Sequence, residues 1–293
     1  MKKLKRIIVG IDLLAKTDTV IKRAFLLAKE NKAELYFVYA IQTPWLSLPD
    51  YFGSKEIVID KKGIKKRIEK KIKALNVDTK VSYFVLVKEG DPDDILLYES
   101  KLLRADMIVI GSHSKSKTKK NILGTTAQKV AHQSNLPVLI VKNRVRNSYK
   151  NIIAPTDFSM QSKQSTLFAK NIFSAAKINI VHAFETFYVE GFYTAGPYAL
   201  EGRDLVQYKE IAKTHAKDNM KEYLQEVAVK KGKVIDGKGN TKEELLKYIK
   251  KGNYDLVVVG SHGTSGFKVL LGSVASYLSK EAPNDVLVYV PTD

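Results

Sequence analysis

Two passages of the chain carry residue types that suit the binding of a phosphate group. Residues 107–125 read MIVIGSHSKSKTKKNILGT, and residues 256–273 read LVVVGSHGTSGFKVLLGS. Each is an apolar run that ends in Gly-Ser-His, followed by a polar loop and a Leu-Gly-Ser/Thr step into a predicted helix. Free N–H groups and the positive end of the helix dipole favour an anion at such a helix start. Glycine lets the backbone approach that anion closely.

An aspartate closes the first apolar run of each half. RIIVGID ends at Asp12, and NIIAPTD ends at Asp157. Each aspartate stands alone, with no second carboxylate nearby in sequence that could form an acid–base pair. The glycine loops also lack the Gly-Lys-Ser/Thr ending of a P-loop. These residues therefore predict a binding site, and we assign no catalytic residue.

The spacing of the motifs indicates a repeat of domain length. The offset between the halves is 145 residues at the aspartates and 149 residues between Gly111 and Gly260. A chain of 293 residues is long enough for two domains with one full core each. We predict one domain over residues 1–146 and a second over residues 147–293.

Strand-like and helical patterns alternate in both halves. In the first half we predict strands at 5–11, 34–41, 80–87, 106–111 and 137–142, and helices at 17–31, 61–75, 91–103 and 124–134. In the second half we predict strands at 151–156, 178–184, 232–236, 254–260 and 285–290, and helices at 161–176, 204–230, 241–251 and 273–282. This alternation predicts βαβ crossovers and a parallel sheet, and runs such as LVVVG indicate strands covered on both faces. The predicted fold class is α/β: two tandem doubly wound, Rossmann-like domains, each a five-stranded parallel sheet with helices on both faces. Ligands bind such folds beyond the carboxyl ends of the strands.

Composition narrows the function classes. The chain has no cysteine, which excludes disulfides, Cys-ligated zinc and thiol catalysis and is typical of a reducing compartment. No apolar run approaches 18 residues, so we expect no membrane span and a cytoplasmic protein. We interpret His113 and His262 as turn residues, and His132, His182 and His215 fall on different predicted elements without ligand spacing. We therefore predict no metal site.

Positive charge is concentrated in the first half. The net charge is +18, and the residues up to Arg146 carry +15 of it. Two segments hold most of this excess: the predicted helix at 61–75 and the loop at 115–120. In the helix, Ile64, Ile68, Ile72 and Leu75 form one apolar stripe that we expect to face the core. Its lysines form either a solvated face or a surface for a polyanion, and both interpretations stay open.

On these motifs the chain resembles the universal stress protein family, specifically its tandem-domain members. Nucleotide-binding members carry Gly-x2-Gly-x9-Gly-Ser/Thr after the fourth strand and an aspartate at the end of the first strand. The resemblance covers nearly the whole sequence, in two copies. It implies a domain that binds ATP, with Mg²⁺ accompanying the nucleotide. In such a domain the aspartate meets ribose or adenine, the loop glycines and Gly-Ser hold phosphates and ribose, and a main-chain group of the second strand meets adenine.

Carried over position by position, the resemblance assigns nucleotide-binding residues in both halves. In the second half they are Asp157, Ala183, Gly260, Gly263, Gly272 and Ser273. In the first half they are Asp12, Ala40, Gly111, Gly124 and Thr125. Both copies depart from the pattern: Ser114 replaces the second glycine in the first half, and eight residues instead of nine separate Gly263 from Gly272. A side chain at a position that needs positive φ or close phosphate approach is unfavourable, so we expect weak ATP binding that prefers the C-terminal domain.

The resulting functional hypothesis is a stress-response regulatory protein whose output is a conformation or a contact with a protein partner. We do not expect an enzyme, although slow ATP turnover by a bound water is conceivable. The alternative is a degenerate family member that binds no nucleotide and uses the aromatic segment 186–203 or the basic first domain to engage another ligand. Nucleic acid is the weakest candidate partner, because no recognised motif is present. In this family domains pair along their last strands, here 137–142 and 285–290, so we expect an intramolecular pseudo-dimer.

Overall fold

The chain divides into two compact units, residues 2–148 and 149–293. The structure, a computed structural model, describes residues 3–14, 17–42, 59–112, 123–185, 202–261 and 271–291. None of the helices in these ranges is long and apolar enough to cross a membrane.

The first unit is a parallel α/β sheet. Its described elements are β1 Arg6–Gly10, α1 Thr17–Asn31, β2 Glu34–Ile41, α2 Lys61–Ala74, β3 Tyr83–Glu89, α3 Pro92–Leu102, β4 Met107–Gly111, α4 Thr125–Gln133 and β5 Val138–Val141. The strand order is β3-β2-β1-β4-β5, and each neighbouring pair is parallel. The central strand β1 aligns Ile7 with Leu35 on one side and with Met107 on the other.

The second unit repeats this plan. Its described elements are β6 Asn151–Pro155, α5 Met160–Ile172, β7 Lys177–Phe184, α6 Gly202–Glu226, β8 Lys231–Asp236, α7 Thr241–Lys251, β9 Leu256–Gly260, α8 Ser273–Glu281 and β10 Asp285–Tyr289. The order is β8-β7-β6-β9-β10, again with parallel neighbours. The predicted fold class, two tandem Rossmann-like domains with five-stranded parallel sheets, is confirmed.

The central strands explain where the two cores lie. Successive residues of a strand point to opposite faces of the sheet, yet Ile7, Ile8 and Val9 of β1 are all fully buried. Val257 and Val258 of β9 are also fully buried. Both faces of these strands are therefore covered, as expected for parallel strands between helices.

Three element boundaries differ from prediction by more than two residues. The strand β3 starts at Tyr83 instead of residue 80, because Asp78 forms a turn and its Oδ1 accepts the N–H of Lys80 at 2.9 Å. The helix α5 ends at Ile172 instead of residue 176. The ring of the next residue, Phe173, packs edge-on against the ring of Tyr149, with the two centroids 5.2 Å apart. The helix α6 ends at Glu226 instead of residue 230, because the backbone reaches positive φ at Ala228 (φ 49°).

Candidate functional site

The second unit contains a cavity of about 450 Å³ beyond the carboxyl ends of its strands. Its walls are the turn after β6, the end of β7, the loop before α7, and the first turns of α5 and α8. The connections from β6 and β9 lie at the point where the strand order reverses, with β7 on one side of β6 and β9 on the other. This is the position at which open α/β sheets bind ligands.

The cavity brings together most of the residues predicted for the second half. Its lining includes Asp157, Ala183, Gly260, Gly272 and Ser273. The sixth predicted residue, Gly263, lies outside the described residues. These five residues come from separate segments of the second half, and the parallel topology brings them to one cavity.

The turn after β6 fixes the aspartate. Oδ1 of Asp157 accepts the N–H of Ser159 at 3.0 Å. Thr156 Oγ1 accepts the N–H of Phe158 at 2.9 Å and lies 2.8 Å from Ser162 Oγ. Partial burial raises the pKa of Asp157, but hydrogen bonds from Ser159 and Ser162 outweigh it and hold the pKa below its usual value. The carboxylate is therefore ionised at neutral pH at the rim of the cavity.

The same turn places a non-glycine residue in the left-handed region. Phe158 has φ of 64°, and its counterpart after the first-half aspartate, Leu13, has φ of 59°. Such a conformation is uncommon for residues with a side chain, and persists only where the surroundings stabilise it. At Phe158 the ring packs on His182 with centroids 4.2 Å apart and on Tyr223 of α6 at 5.8 Å.

His182 lies in the cavity wall beside this turn. Its Nδ1 is 2.7 Å from the main-chain oxygen of Thr156, so Nδ1 carries the proton and donates it. Burial lowers the pKa of His182 by more than the Thr156 hydrogen bond and the carboxylates of Asp157 and Glu185 raise it. The ring is therefore neutral at pH 7, with Nε2 as an acceptor. Sequence reasoning missed this residue, although its place directly before a predicted site residue on β7 was a usable signal.

Gly260 and Gly272 mark the side of the cavity formed by β9 and α8. A Cβ at Gly260 would lie 3.1 Å from the main-chain oxygen of Gln161 in α5, so the end of β9 approaches that helix closely. Gly272 is the N-cap of α8 and provides no side-chain cap. The first N–H groups of α8, from Ser273 onward, are therefore suited to an anion.

The loop before α7 forms the remaining wall, which the sequence analysis did not anticipate. Gly239 has φ of 74°, and Asn240 caps α7 by accepting the N–H of Glu243. Thr241 Oγ1 donates to Glu185 Oε1 at 3.1 Å, and Lys242 also lines the cavity. A Gly-Asn-Thr step into a helix is an N-cap signature, and it was the signal that could have located this wall.

The corresponding aspartate of the first unit is also held by hydrogen bonds. Oδ1 of Asp12 accepts the hydroxyl of Thr17 at 2.7 Å and the N–H of Leu14 at 2.9 Å. It thereby ties the turn after β1 to the first residue of α1.

The other residues predicted for the first half lie on the expected elements. Ala40 lies near the end of β2 and Gly111 ends β4. Gly124 is the N-cap of α4, which begins at Thr125. The loop at 113–122, which includes Ser114, lies outside the described residues.

The first unit differs in charge at the start of its third helix. The helix α3 begins with Pro92 and Asp93, where α7 has Thr241 and Lys242. Asp93 is buried, and its carboxylate lies 3.0 Å from Lys129 Nζ. A carboxylate at this wall favours an anionic ligand less than a lysine does.

No three His, Asp or Glu side chains within the described ranges lie close enough to hold a metal ion. The cavity of the second unit presents both hydrogen-bond acceptors and features that favour an anion. It combines an ionised carboxylate, a neutral imidazole acceptor, a lysine and an uncapped helix start around one cavity.

In a comparison with known proteins, both halves of the chain match the same protein family. The universal stress protein family matches residues 3–142 and 148–290. The curated universal stress protein MJ0531 of Methanocaldococcus jannaschii is 29% identical over 140 residues, which are 47% of this chain and 82% of that protein. The structure of the functionally unknown protein PA1789 from Pseudomonas aeruginosa PAO1 is similar with a TM-score of 0.71 and 16% identity, covering 98% of this chain and 93% of that one. A universal stress protein from Archaeoglobus fulgidus DSM 4304 is similar with a TM-score of 0.66 and 20% identity, covering 97% of each chain.

Proposed function

The chain belongs to the universal stress protein family over both of its halves, and from that premise we propose that it is a stress-response regulatory protein that binds ATP weakly in its C-terminal half. The observation that supports this proposal most directly is the cavity of about 450 Å³, which gathers five of the residues that the family resemblance assigns to nucleotide. The absence of cysteine favours action in the cytoplasm.

The geometry suggests a role for each wall. Asp157, ionised at the rim, would accept ribose hydroxyls. The first N–H groups of α8, at Ser273, would meet phosphate oxygens. Mg²⁺ entering with ATP would be held by the phosphates and water, as is usual for this ion.

The end of β7 would receive the base. The main chain at Ala183 is the family position for adenine, and Nε2 of His182 and the carboxylate of Glu185 are acceptors in the same wall. Acceptors suit the exocyclic amino group of adenine, which is a donor.

We propose a regulatory output without catalysis. The Phe158 ring links the aspartate turn to Tyr223 of α6, and Tyr223 lies 3.0 Å from the Thr166 hydroxyl of α5. A ligand that moves this turn would therefore move groups packed under α6. The same helix exposes Tyr208 and Ile211, which would serve as the contact for a protein partner.

Mass spectrometry of the denatured, freshly purified protein tests the proposal, because it detects adenine nucleotide that co-purifies. Calorimetric titration of the native protein with ATP then gives the affinity directly. Nucleotide in the first assay or saturable heat in the second is the expected result. If neither assay shows binding, the chain is a degenerate member that acts through another ligand.

A further inference from the structure

The helix α2 of the first unit carries an unusual excess of positive charge. Its fourteen residues include eight cations and one carboxylate, that of Glu69. The helix at the same place in the second unit, α6, contains five cations and five carboxylates. The excess is therefore not a requirement of the fold.

Two of these eight cations have acidic partners. Lys61 Nζ lies 2.6 Å from Glu89 on β3, and Lys71 Nζ lies 2.6 Å from Asp18 on α1. The other six are exposed and form no ion pair with any described residue: Lys62, Lys65, Lys66, Arg67, Lys70 and Lys73.

The arrangement of these cations opposes the stability of the helix. Lys62, Lys66 and Lys70 repeat at four-residue spacing, which sets like charges beside one another on one face. The first turn itself contains lysines and no acidic residue, and the carboxylate that faces the helix dipole is that of the N-cap residue Asp60, whose Oδ1 accepts the N–H of Gly63 at 2.8 Å. Glu69, Glu89 and Asp18 offset part of this repulsion. An external polyanion would offset the charge of the six exposed cations that form no ion pair.

Packing holds this face outward and in one orientation. Ile68 and Ile72, on the opposite side of α2, are buried in the core of the unit with at most 1% of their surface exposed. From Lys62 to Lys73 the charged row is about 16 Å long at the rise of an α-helix. The apolar stripe of α2 is used by the fold, so it is not free to enter a bilayer.

We propose that the exposed basic face of α2 docks the protein on an anionic lipid surface. Clusters of four to eight Lys and Arg on a helix are attracted to anionic headgroups through charge alone. Lateral movement of the lipids lets headgroups gather under a straight row of lysines without a fixed fit.

The composition of the face favours lipid over nucleic acid. Five of the six unpaired cations are lysine and one is Arg67, whereas phosphate recognition in nucleic acids prefers the two-pronged guanidinium. The exposed face presents no aromatic side chain that could stack on a base. The attraction to lipid is therefore Coulombic and should weaken as salt rises.

Vesicle co-sedimentation of the full chain tests this proposal. The probes are phosphatidylcholine vesicles with and without about 30 mol% phosphatidylglycerol, at about 0.05 M and about 0.5 M salt. The variant is K62Q/K66Q/K70Q. The matched control is K217Q/K221Q/K230Q, which removes three exposed lysines from the second unit. The control and the α2 variant therefore have the same net charge.

The protein should pellet only with the anionic vesicles and should be released at high salt. Each lysine near an anionic surface contributes about fivefold in partitioning, so the α2 variant should lose about a hundredfold, and the control much less. Thermal unfolding confirms that the variant is folded, since removal of like charges should not destabilise α2. Equal losses in the two variants would show attraction by net charge only, and failure to pellet at low salt would overturn the proposal. Tighter binding to a duplex DNA fragment than to the anionic vesicles would assign the face to nucleic acid instead.

Discussion

Replacing Asp157 by asparagine should weaken ATP binding, while the same change at Asp12 should not. The Asp157→Asn variant keeps an Oδ1 that can accept the N–H of Ser159, the 3.0 Å contact that shapes the turn. It removes the negative charge of the carboxylate that would accept a hydrogen bond from a ribose hydroxyl. A hydrogen bond to a charged group contributes about 1.5–3 kcal/mol, so Kd for ATP should rise about 10- to 150-fold.

The first unit supplies the matched control. Oδ1 of Asp12 already accepts the Thr17 hydroxyl and a main-chain N–H, and the wall corresponding to Lys242 carries Asp93. Isothermal calorimetry of the Asp12→Asn variant should therefore give a Kd within a factor of about two of the original. Equal losses from both variants, or a loss from Asp12→Asn alone, would refute the assignment of the site to the C-terminal half.

Measuring the free energy of unfolding as a function of pH checks whether the turn keeps its structure in the Asp157→Asn variant. The pKa of Asp157 is lowered in the folded state, so its carboxylate contributes stability above its unfolded pKa, and that contribution is lost as pH falls through the folded value. The difference in unfolding free energy between the original and the variant should therefore shrink below about pH 4. A difference that stays constant across this range would mean that the substitution damages the fold by another route, and the calorimetric loss could not be assigned to the charge.

Two further substitutions and one insertion test other parts of the site. Gly260→Ala should weaken ATP binding about tenfold by calorimetry, because its methyl group meets main-chain atoms of α5, whereas Gly111→Ala meets a side-chain methyl that can rotate away. The folded-state pKa of His182 is below its unfolded value. Urea unfolding should therefore show a free energy of unfolding that falls as pH drops below about 6.5. The variant His182→Asn should flatten this pH dependence, and the control His215→Asn should keep it. Adding a residue between Gly266 and Gly272, so that nine residues separate Gly263 from Gly272, should raise affinity for ATP more than for ADP, by about tenfold for one recovered hydrogen bond to the terminal phosphate.

Each of these three predictions has an outcome that would contradict it. Unchanged ATP affinity in Gly260→Ala would mean that the close approach to α5 does not shape the ligand site. A slope that persists in His182→Asn would place the titrating group elsewhere. An equal gain for ATP and ADP after the insertion would show that the shorter loop does not act at the terminal phosphate.

The order of elements was predictable because the residues of the core follow the hydrophobic pattern of the sequence. Strands such as β9 are apolar at every position, and the helices carry apolar residues at helical spacing, so hydrophobic pattern alone separated them. The start of β3 was not predictable in this way, since Asp78 forms a turn through side-chain and main-chain contacts that periodicity does not register.

The candidate site was predictable only where a motif marked it. Asp157 and Gly260 were assigned because they match the aspartate and glycine motifs of the family that the chain resembles, and the parallel strands bring their carboxyl ends to one edge. Thr241 and Lys242 were missed because they reach the cavity through the loop before α7, about eighty residues from the aspartate. His182 was missed because its role depends on which nitrogen meets the Thr156 carbonyl, and that follows from packing.

The register of the central strand has a consequence for synthesis of the chain. Ile7 of β1 pairs with Met107 of β4, a hundred positions later. Ribosomes add about 5–20 residues per second, so the first strand leaves the exit tunnel with one edge open for roughly 5–20 s before its second partner exists. Its apolar run from Ile7 to Val9 makes that interval a time of exposure to wrong pairing. The first half is complete before most of the second has been made, and nascent-chain pulse proteolysis should therefore show protection arriving in two steps, each shortly after the fourth strand of a half has emerged.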